Sequence, residues 1–372
     1  MLSRPLSGRE PCFDRLRTAL YCGQPDAVPP VELFHDLEVK EAFLGRPVRS
    51  FADDIEFHYL AGYDYYNAWV TYRQLSEAIA ERLNKPITLT ASSYQGTTQR
   101  RWSPERNALI SSVAEFEQFP WPEPGLNSLQ VAGVGLPPLP IRQALDEIGA
   151  ALPAGMGLIL STDGIFERFT KDIMGYETFC YALADNPELV ARVFSKVGEL
   201  WLALYEEVAA LPEVSALWLA DDIAYGQGLM FSPSVMRKHL FPWYERIGEV
   251  AARHRKPLLF HSDGDLRPVL PDLISCGIRA IQPIEPKAMD IVQVKREYAG
   301  RLCLIGNIDL SYTLTLGTPD DVRAEVRERI RAVGPGGGYC VGSSNTVTNY
   351  VPLANFRAML QATFEYGHYP LG

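Results

Sequence analysis

Pro257-Leu258-Leu259-Phe260-His261-Ser262-Asp263-Gly264-Asp265 is the stretch on which the fold turns. An apolar run breaks off into a histidine, a serine and two aspartates. The run is too short for a helix, and its abrupt polar end suits a buried parallel strand that meets a loop. Upstream, Ser232-Pro233 supplies a helix cap and a first-turn proline, and Pro242 predicts a kink in that helix.

The same alternation extends in both directions. Thr318-Pro319-Asp320-Asp321 opens a helix, Val322, Val326, Ile330 and Val333 form its apolar stripe, and Gly334 stops it. Asn186-Pro187-Glu188 opens another, with Leu189, Val193, Val197, Leu200, Trp201 and Leu204 on its inner face. Helical spacing also covers 141–152 and 289–298. Between the helices lie eight candidate strands at 30–34, 63–69, 157–161, 216–220, 257–260, 279–282, 302–306 and 338–342. The pattern predicts an α/β fold: a single (β/α)₈ TIM barrel, with residues 1–372 forming one domain. Strands five to eight should end at His261, Gln282, Asn307 and Ser343 and gather at one mouth. The stretch 87–124 breaks the repeat. It reads as an extended hairpin inserted after the second strand, within an inserted segment around 87–140, and is either a wall over the barrel or plain decoration.

Composition narrows the partners. With 35 Lys plus Arg against 45 Asp plus Glu, the net charge of −10 disfavours nucleic acid and anionic membrane surfaces. Six cysteines are scattered singly without a CxxC, most of them in apolar runs, which suits buried thiols in a reducing compartment. The first residues lack the apolar stretch of a signal peptide. The uncharged segment 125–141 is punctuated by Gly133, Gly135, Pro137, Pro138 and Pro140, so it reads as a loop rather than a membrane span. A cytoplasmic setting is expected.

In a barrel of this kind the working groups follow the strands, on the carboxyl-end loops. Polar residues collect there. Asp222, His261, Glu285 and Asn345 are the catalytic candidates, and Glu32, His35, Asp64, Asp221, Tyr225 and Asn307 the substrate-binding ones. His261 and Asp263, two apart in extended chain, project to one face and could hold a divalent metal, with zinc first and manganese or iron next. The second imidazole nitrogen would then rest on a neighbouring carboxylate, Asp265 or Asp222. A third ligand would come from Glu285, Asp222 or Asn345, in that order. Structural readings compete: Asp221-Asp222 could cap the following helix, and His261 could be a satisfied core histidine. The run Gly334-Pro335-Gly336-Gly337-Gly338 precedes a strand, which suits a tight turn better than a phosphate loop.

These residues also resemble a known family. The C-terminal half is similar to the uroporphyrinogen decarboxylase superfamily, which includes corrinoid-linked methyltransferases. The similarity runs through 256–264, Ile284-Glu285-Pro286, Met289-Asp290-Ile291, 301–309, Gly337-Gly338-Tyr339 and 352–356, together with Asp221-Asp222 and Ser232-Pro233. The decarboxylases carry two arginines soon after the first strand, where this chain has His35 and Val39. The zinc methyltransferases carry His-x-Cys after strand five and a further Cys after strand eight, where this chain has His261, Asp263 and Asn345.

The resemblance therefore implies an enzyme that passes a methyl group from a small methylated or methoxylated substrate to a corrinoid protein or related acceptor. The corrinoid would be carried by the partner, and a homodimer is compatible with the family. One alternative is a porphyrinogen-decarboxylase-like carbon–carbon lyase acting on a pyrrole or other electron-rich ring, with Asp64 or Asp222 stabilising a cationic intermediate. A second alternative is a barrel that binds a small ligand without catalysis.

Overall fold

A computed structural model describes residues 4–82 and 108–371. The strands are β1 (Tyr65–Tyr72), β2 (Leu129–Ala132), β3 (Leu139–Pro140), β4 (Gly157–Asp163), β5 (Val214–Ala220), β6 (Ala224–Tyr225), β7 (Gly228–Leu229), β8 (Leu258–His261), β9 (Ala280–Gln282), β10 (Cys303–Ile305) and β11 (Tyr339–Cys340). One sheet has the order β11-β10-β9-β8-β5-β4-β1-β2-β3, and β6-β7 is a separate small hairpin. Every pairing from β11 to β1 is parallel, whereas β2 and β3 extend the edge in antiparallel fashion.

Seven of the eight expected strands are present. The first differs. Residues 30–34 form no strand and touch the β11 side through isolated parallel bridges, Pro30 with Val341 and, just beyond, His35 with Val347. Pro29 and Pro30 lack the N–H groups that a ladder needs. Toward β1, side chains substitute for the ladder. The Tyr65 hydroxyl accepts from the Glu32 N–H at 2.8 Å and donates to the Glu32 carbonyl at 2.5 Å. Asn67 Nδ2 donates to the Leu33 carbonyl at 2.6 Å. Among the described residues, main-chain closure of the expected barrel is not shown: the segment 30–35 meets the β11 side by isolated bridges and meets β1 at a seam bonded by side chains.

Of the stretch 87–124 read as a hairpin, residues 87–107 lie outside the described residues. What is described of the inserted segment is a helix, Val113–Gln118, capped by Ser112 with Glu115 in a capping box, followed by the β2-β3 hairpin on the edge of β1.

The helices follow their sequence signals. Thr318 and Asp321 form a capping box on Pro319–Val333, and Val322, Val326, Ile330 and Val333 are buried. Asn186 caps Pro187–Ala209, whose apolar face is buried along its length. The Pro242 irregularity is real: a widened π turn at Met236–Leu240 precedes the helix Phe241–Arg253, accommodating the missing proline N–H. Cys276, Cys303 and Cys340 are buried as expected, but Cys12 and Cys180 are exposed and Cys22 is partly so. No helix among the described residues is long and apolar enough to cross a membrane.

Strand alternation separates two chemistries. Residues directed at the helices bond to them, as Thr162 does to Tyr205 at 2.8 Å. On the opposite face, Asp163, Ala220, His261 and Gln282 stand level across β4, β5, β8 and β9. That level is the carboxyl end of the parallel sheet.

Candidate metal centre

His261 closes β8 and is 8% exposed. Its Nδ1 lies 2.5 Å from Gln282 Oε1. Its Nε2 lies 3.6 Å from Asp222 Oδ1 and 3.8 Å from Asp263 Oδ1. One ligand atom from each of Asp222, His261 and Asp263 falls within 4.8 Å of the others. Ligand atoms bound about 2.1 Å from one ion at tetrahedral angles would stand about 3.4 Å apart, so these spacings need little adjustment to take a divalent cation.

The loops hold the carboxylates in place. The Asp263 N–H donates to Asp222 Oδ1 at 3.0 Å, and Asn345 Nδ2 donates to both Asp263 oxygens at 2.8 and 2.9 Å. Gly264, with φ of +85°, allows close passage: a Cβ there would lie 2.3 Å from the Tyr225 carbonyl oxygen. Asp265 N–H donates to that same carbonyl at 3.2 Å, joining this loop to the β6-β7 hairpin.

Electrostatics fit a cation site. Burial disfavours the imidazolium of His261, but Asp222, Asp263 and the Gln282 acceptor outweigh it and raise its pKa. Burial and the charges of Asp222 and Glu285 push the Asp263 carboxyl up, against the pull of His261 and the Asn345 bond. A carboxylate whose ionisation its neighbours disfavour, as Asp263's is, gains when a divalent ion is placed beside it.

The other predicted residues divide by position. Glu285 Oε2 accepts from the Gly264 N–H at 2.8 Å, which puts it beside the triad but outside the three-residue group. Asp222 therefore takes the place for which Glu285 stood first. Tyr225 is 53% exposed on the hairpin. Asn307 is 1% exposed, and its Oδ1 is buried without a hydrogen-bond partner. Asp221 is fully buried and faces the helices. It accepts from Phe166 N at 2.9 Å, Glu167 N at 2.7 Å and the Tyr244 hydroxyl at 2.5 Å.

Glu32 is buried at the seam, where it accepts from Ser343 N and Ser343 Oγ. His35 is fully buried among Phe57, His58, Tyr63 and Phe356 and bonds Tyr63, so it is a core histidine rather than a rim group. Asp64 precedes β1 and lies at its amino end, paired with Arg15 at 2.6 Å, at the opposite end of the parallel strands from His261. The mouth lies at the carboxyl end of β1, near Tyr72, and Asp64 would stand at the amino end even in the expected strand 63–69, so it is not a rim residue.

Two features went unread in the sequence. Gln282, not Asp265 or Asp222, holds His261 Nδ1, while Asp265 is committed to Arg267 at 2.6 Å. The only available signal was that Gln282 ends its strand. An ion pair between the buried Arg168 and the half-buried Asp163 also stands at the level of His261, and Asp172 holds Arg168 from the other side at 2.5 Å.

This arrangement defines an α/β protein whose ionisable groups gather at the carboxyl ends of parallel strands. The chain belongs to the uroporphyrinogen decarboxylase (URO-D) family, whose model matches residues 139–366. It is also similar to two curated proteins, each a methylcobamide:CoM methyltransferase MtaA, from Methanosarcina barkeri and from Methanosarcina barkeri strain Fusaro / DSM 804. Identity is 26% to both, over 40% and 53% of this chain. The matches span 41% and 55% of the relatives' own length. A solved methyltransferase structure from Methanosarcina mazei shares the fold, with a TM-score of 0.67 and 17% identity, covering 98% of this chain and 99% of that one.

Proposed function

We propose that the protein is a methyltransferase that moves a methyl group from a small methylated or methoxylated compound to a corrinoid protein or related acceptor. The observation carrying this reading is the convergence of Asp222, His261 and Asp263 on one point at the strand ends of a URO-D family chain. The methylcobamide:CoM methyltransferases among its relatives support methyl transfer with a corrinoid as one party. Their name makes the cobamide the methyl donor, whereas here it is proposed as the acceptor.

A divalent ion there would act as a Lewis acid on the heteroatom that bears the methyl group. His261 would offer Nε2, and Asp222 and Asp263 would offset the ion's charge. Asn345 holds both Asp263 oxygens and so limits that side chain's rotation. Glu285 adds a further negative charge, which Asp263 senses. It is suited to moving a proton or to positioning a neutral or cationic donor. One nitrogen and two oxygens make a harder ligand set than the thiolate set of the zinc methyltransferases, so zinc, manganese and iron are all candidates, zinc first. A cytoplasmic homodimer belongs to the same proposal. Decarboxylation of a porphyrinogen has less support, because the positions aligned with its substrate-binding arginines, His35 and Val39, are 0% and 5% exposed.

The test is reconstitution with zinc, manganese or iron, elemental analysis, and assay of methylated donors against cob(I)alamin by its absorbance change on methylation. Metal-dependent methylation that disappears in His261→Ala is expected. Absence of stoichiometric metal after all three reconstitutions would sink the reading, and His261 would become a general acid or substrate anchor.

A further inference from the structure

We propose that Gln282 is a positioning residue that fixes His261 as the Nδ1–H tautomer and so turns the Nε2 lone pair toward Asp222 and Asp263. This inference rests on the metal-centre reading for its purpose but not for its chemistry.

A glutamine amide can face either way, so its orientation must come from its partners. One side of Gln282 meets the main-chain carbonyl of Asn345 at 2.5 Å. A carbonyl only accepts, so the amide NH₂ must be on that side. Oε1 then faces His261 Nδ1 at 2.5 Å, and since Oε1 also only accepts, Nδ1 must carry the proton. A neutral imidazole has one N–H, which leaves the lone pair on Nε2.

Without Gln282 the proton would go elsewhere. Nε2 has carboxylate oxygens of Asp222 and Asp263 at 3.6 and 3.8 Å, both able to accept an N–H. The local field therefore favours the Nε2–H form, which cannot bind a cation through Nε2, and Gln282 works against that preference.

The geometry that allows this control is built into the sheet. His261 and Gln282 are register partners in the parallel β8-β9 pair, so their side chains leave the same face side by side. Gln282 is 1% exposed, which limits competition from water. Asn345 is held in turn, because its side-chain amide donates to both oxygens of Asp263. His261, Gln282, Asn345 and Asp263 thus form a linked chain around the triad, in which one residue sets the tautomer and its neighbour sets the carboxylate.

The test is ¹⁵N NMR of metal-free protein labelled at histidine, recorded above the imidazolium range, with the His261 signals assigned by their loss in His261→Gln. Wild type should show protonated Nδ1 and unprotonated Nε2. Gln282→Met should shift the population to Nε2–H and weaken metal binding by about 10–100-fold. Gln282→Glu, which keeps the acceptor, should restore Nδ1–H. A wild-type Nε2–H tautomer would overturn the proposal even if no variant folds. So would retention of Nδ1–H in Gln282→Met with undiminished metal affinity. A wild-type Nδ1–H signal in a protein that binds no metal would uphold the tautomer assignment and remove the metal centre instead.

Discussion

Asp221 and Asp222 are adjacent in the chain, yet their carboxylates serve opposite faces of the sheet. Asp221 is turned to the helices, where two backbone N–H groups and the Tyr244 hydroxyl satisfy it. Asp222 is turned to the other face, 3.6 Å from His261 Nε2. Extended backbone alternates sides at each residue, so one tie into the scaffold and one candidate ligand can occupy consecutive positions. Gly164 completes the first arrangement: a Cβ there would lie 1.9 Å from Asp221 Cγ.

The two aspartates should therefore separate in mutagenesis. Asp221→Ala leaves buried donors unpaired and should cost about 2–4 kcal/mol, read as a lower denaturation midpoint. Asp222→Asn should change stability by less than about 1 kcal/mol while weakening metal retention. Equal stability losses would contradict the division of labour.

If the proposed metal centre is correct, His261→Ala should abolish metal binding without unfolding the chain. The stranded Gln282 acceptor predicts a loss of about 1–3 kcal/mol, which a chain of this size should tolerate. Elemental analysis alongside circular dichroism would check both halves, and a variant that keeps one equivalent of metal would remove His261 from the ligand set.

The seam should depend on one hydroxyl. Tyr65→Phe removes the group that satisfies both the N–H and the C=O of Glu32, leaving two buried main-chain groups unpaired. A cost of about 2–4 kcal/mol is expected, with faster amide exchange around residues 30–35. Unchanged exchange there would show that the seam is held by packing alone.

Glu32 should give stability a pH dependence. Burial pushes its carboxyl up from 4.5 to about 8, against the pull of the two Ser343 bonds. The folded protein then holds a proton that the unfolded chain has released, so the contribution is full below the ordinary value and is lost as pH rises through about 8. Denaturation between pH 6 and about 9 should show wild type losing stability relative to Glu32→Gln, which mimics the protonated acid. A difference that stays flat with pH would refute the assignment.

Uroporphyrinogen should not be turned over at an ordinary enzymatic rate, about 1 per second or more. His35 and Val39 stand where the decarboxylases place cations, and both are buried in the core. Coproporphyrinogen formation at such a rate would favour the lyase alternative.

Much of the scaffold was legible in the sequence because the signals are local. Apolar runs bounded by helix caps located seven strands, and Thr318-Pro319-Asp320-Asp321 and Asn186-Pro187-Glu188 marked helix starts that the structure keeps. The pairing of His261 with Asp263 in one cluster followed from the two-residue period of extended chain.

Where each side chain comes to rest depended on contacts between distant segments. His35 read as a rim residue until a core formed around it, whereas Asp64 already stood near the start of its strand, away from the mouth, where the fold pairs it with Arg15. Nothing within Gln282's own neighbourhood in the sequence ties it to His261 or Asn345, because those contacts exist only once β8 and β9 lie in register and the loop after β11 folds back. Local chain chemistry determined which elements form and which residues end them. Which carboxylate meets the helices, which meets the histidine and which nitrogen keeps its lone pair were decided by tertiary structure, because hydrogen-bond direction depends on partners far away in the chain.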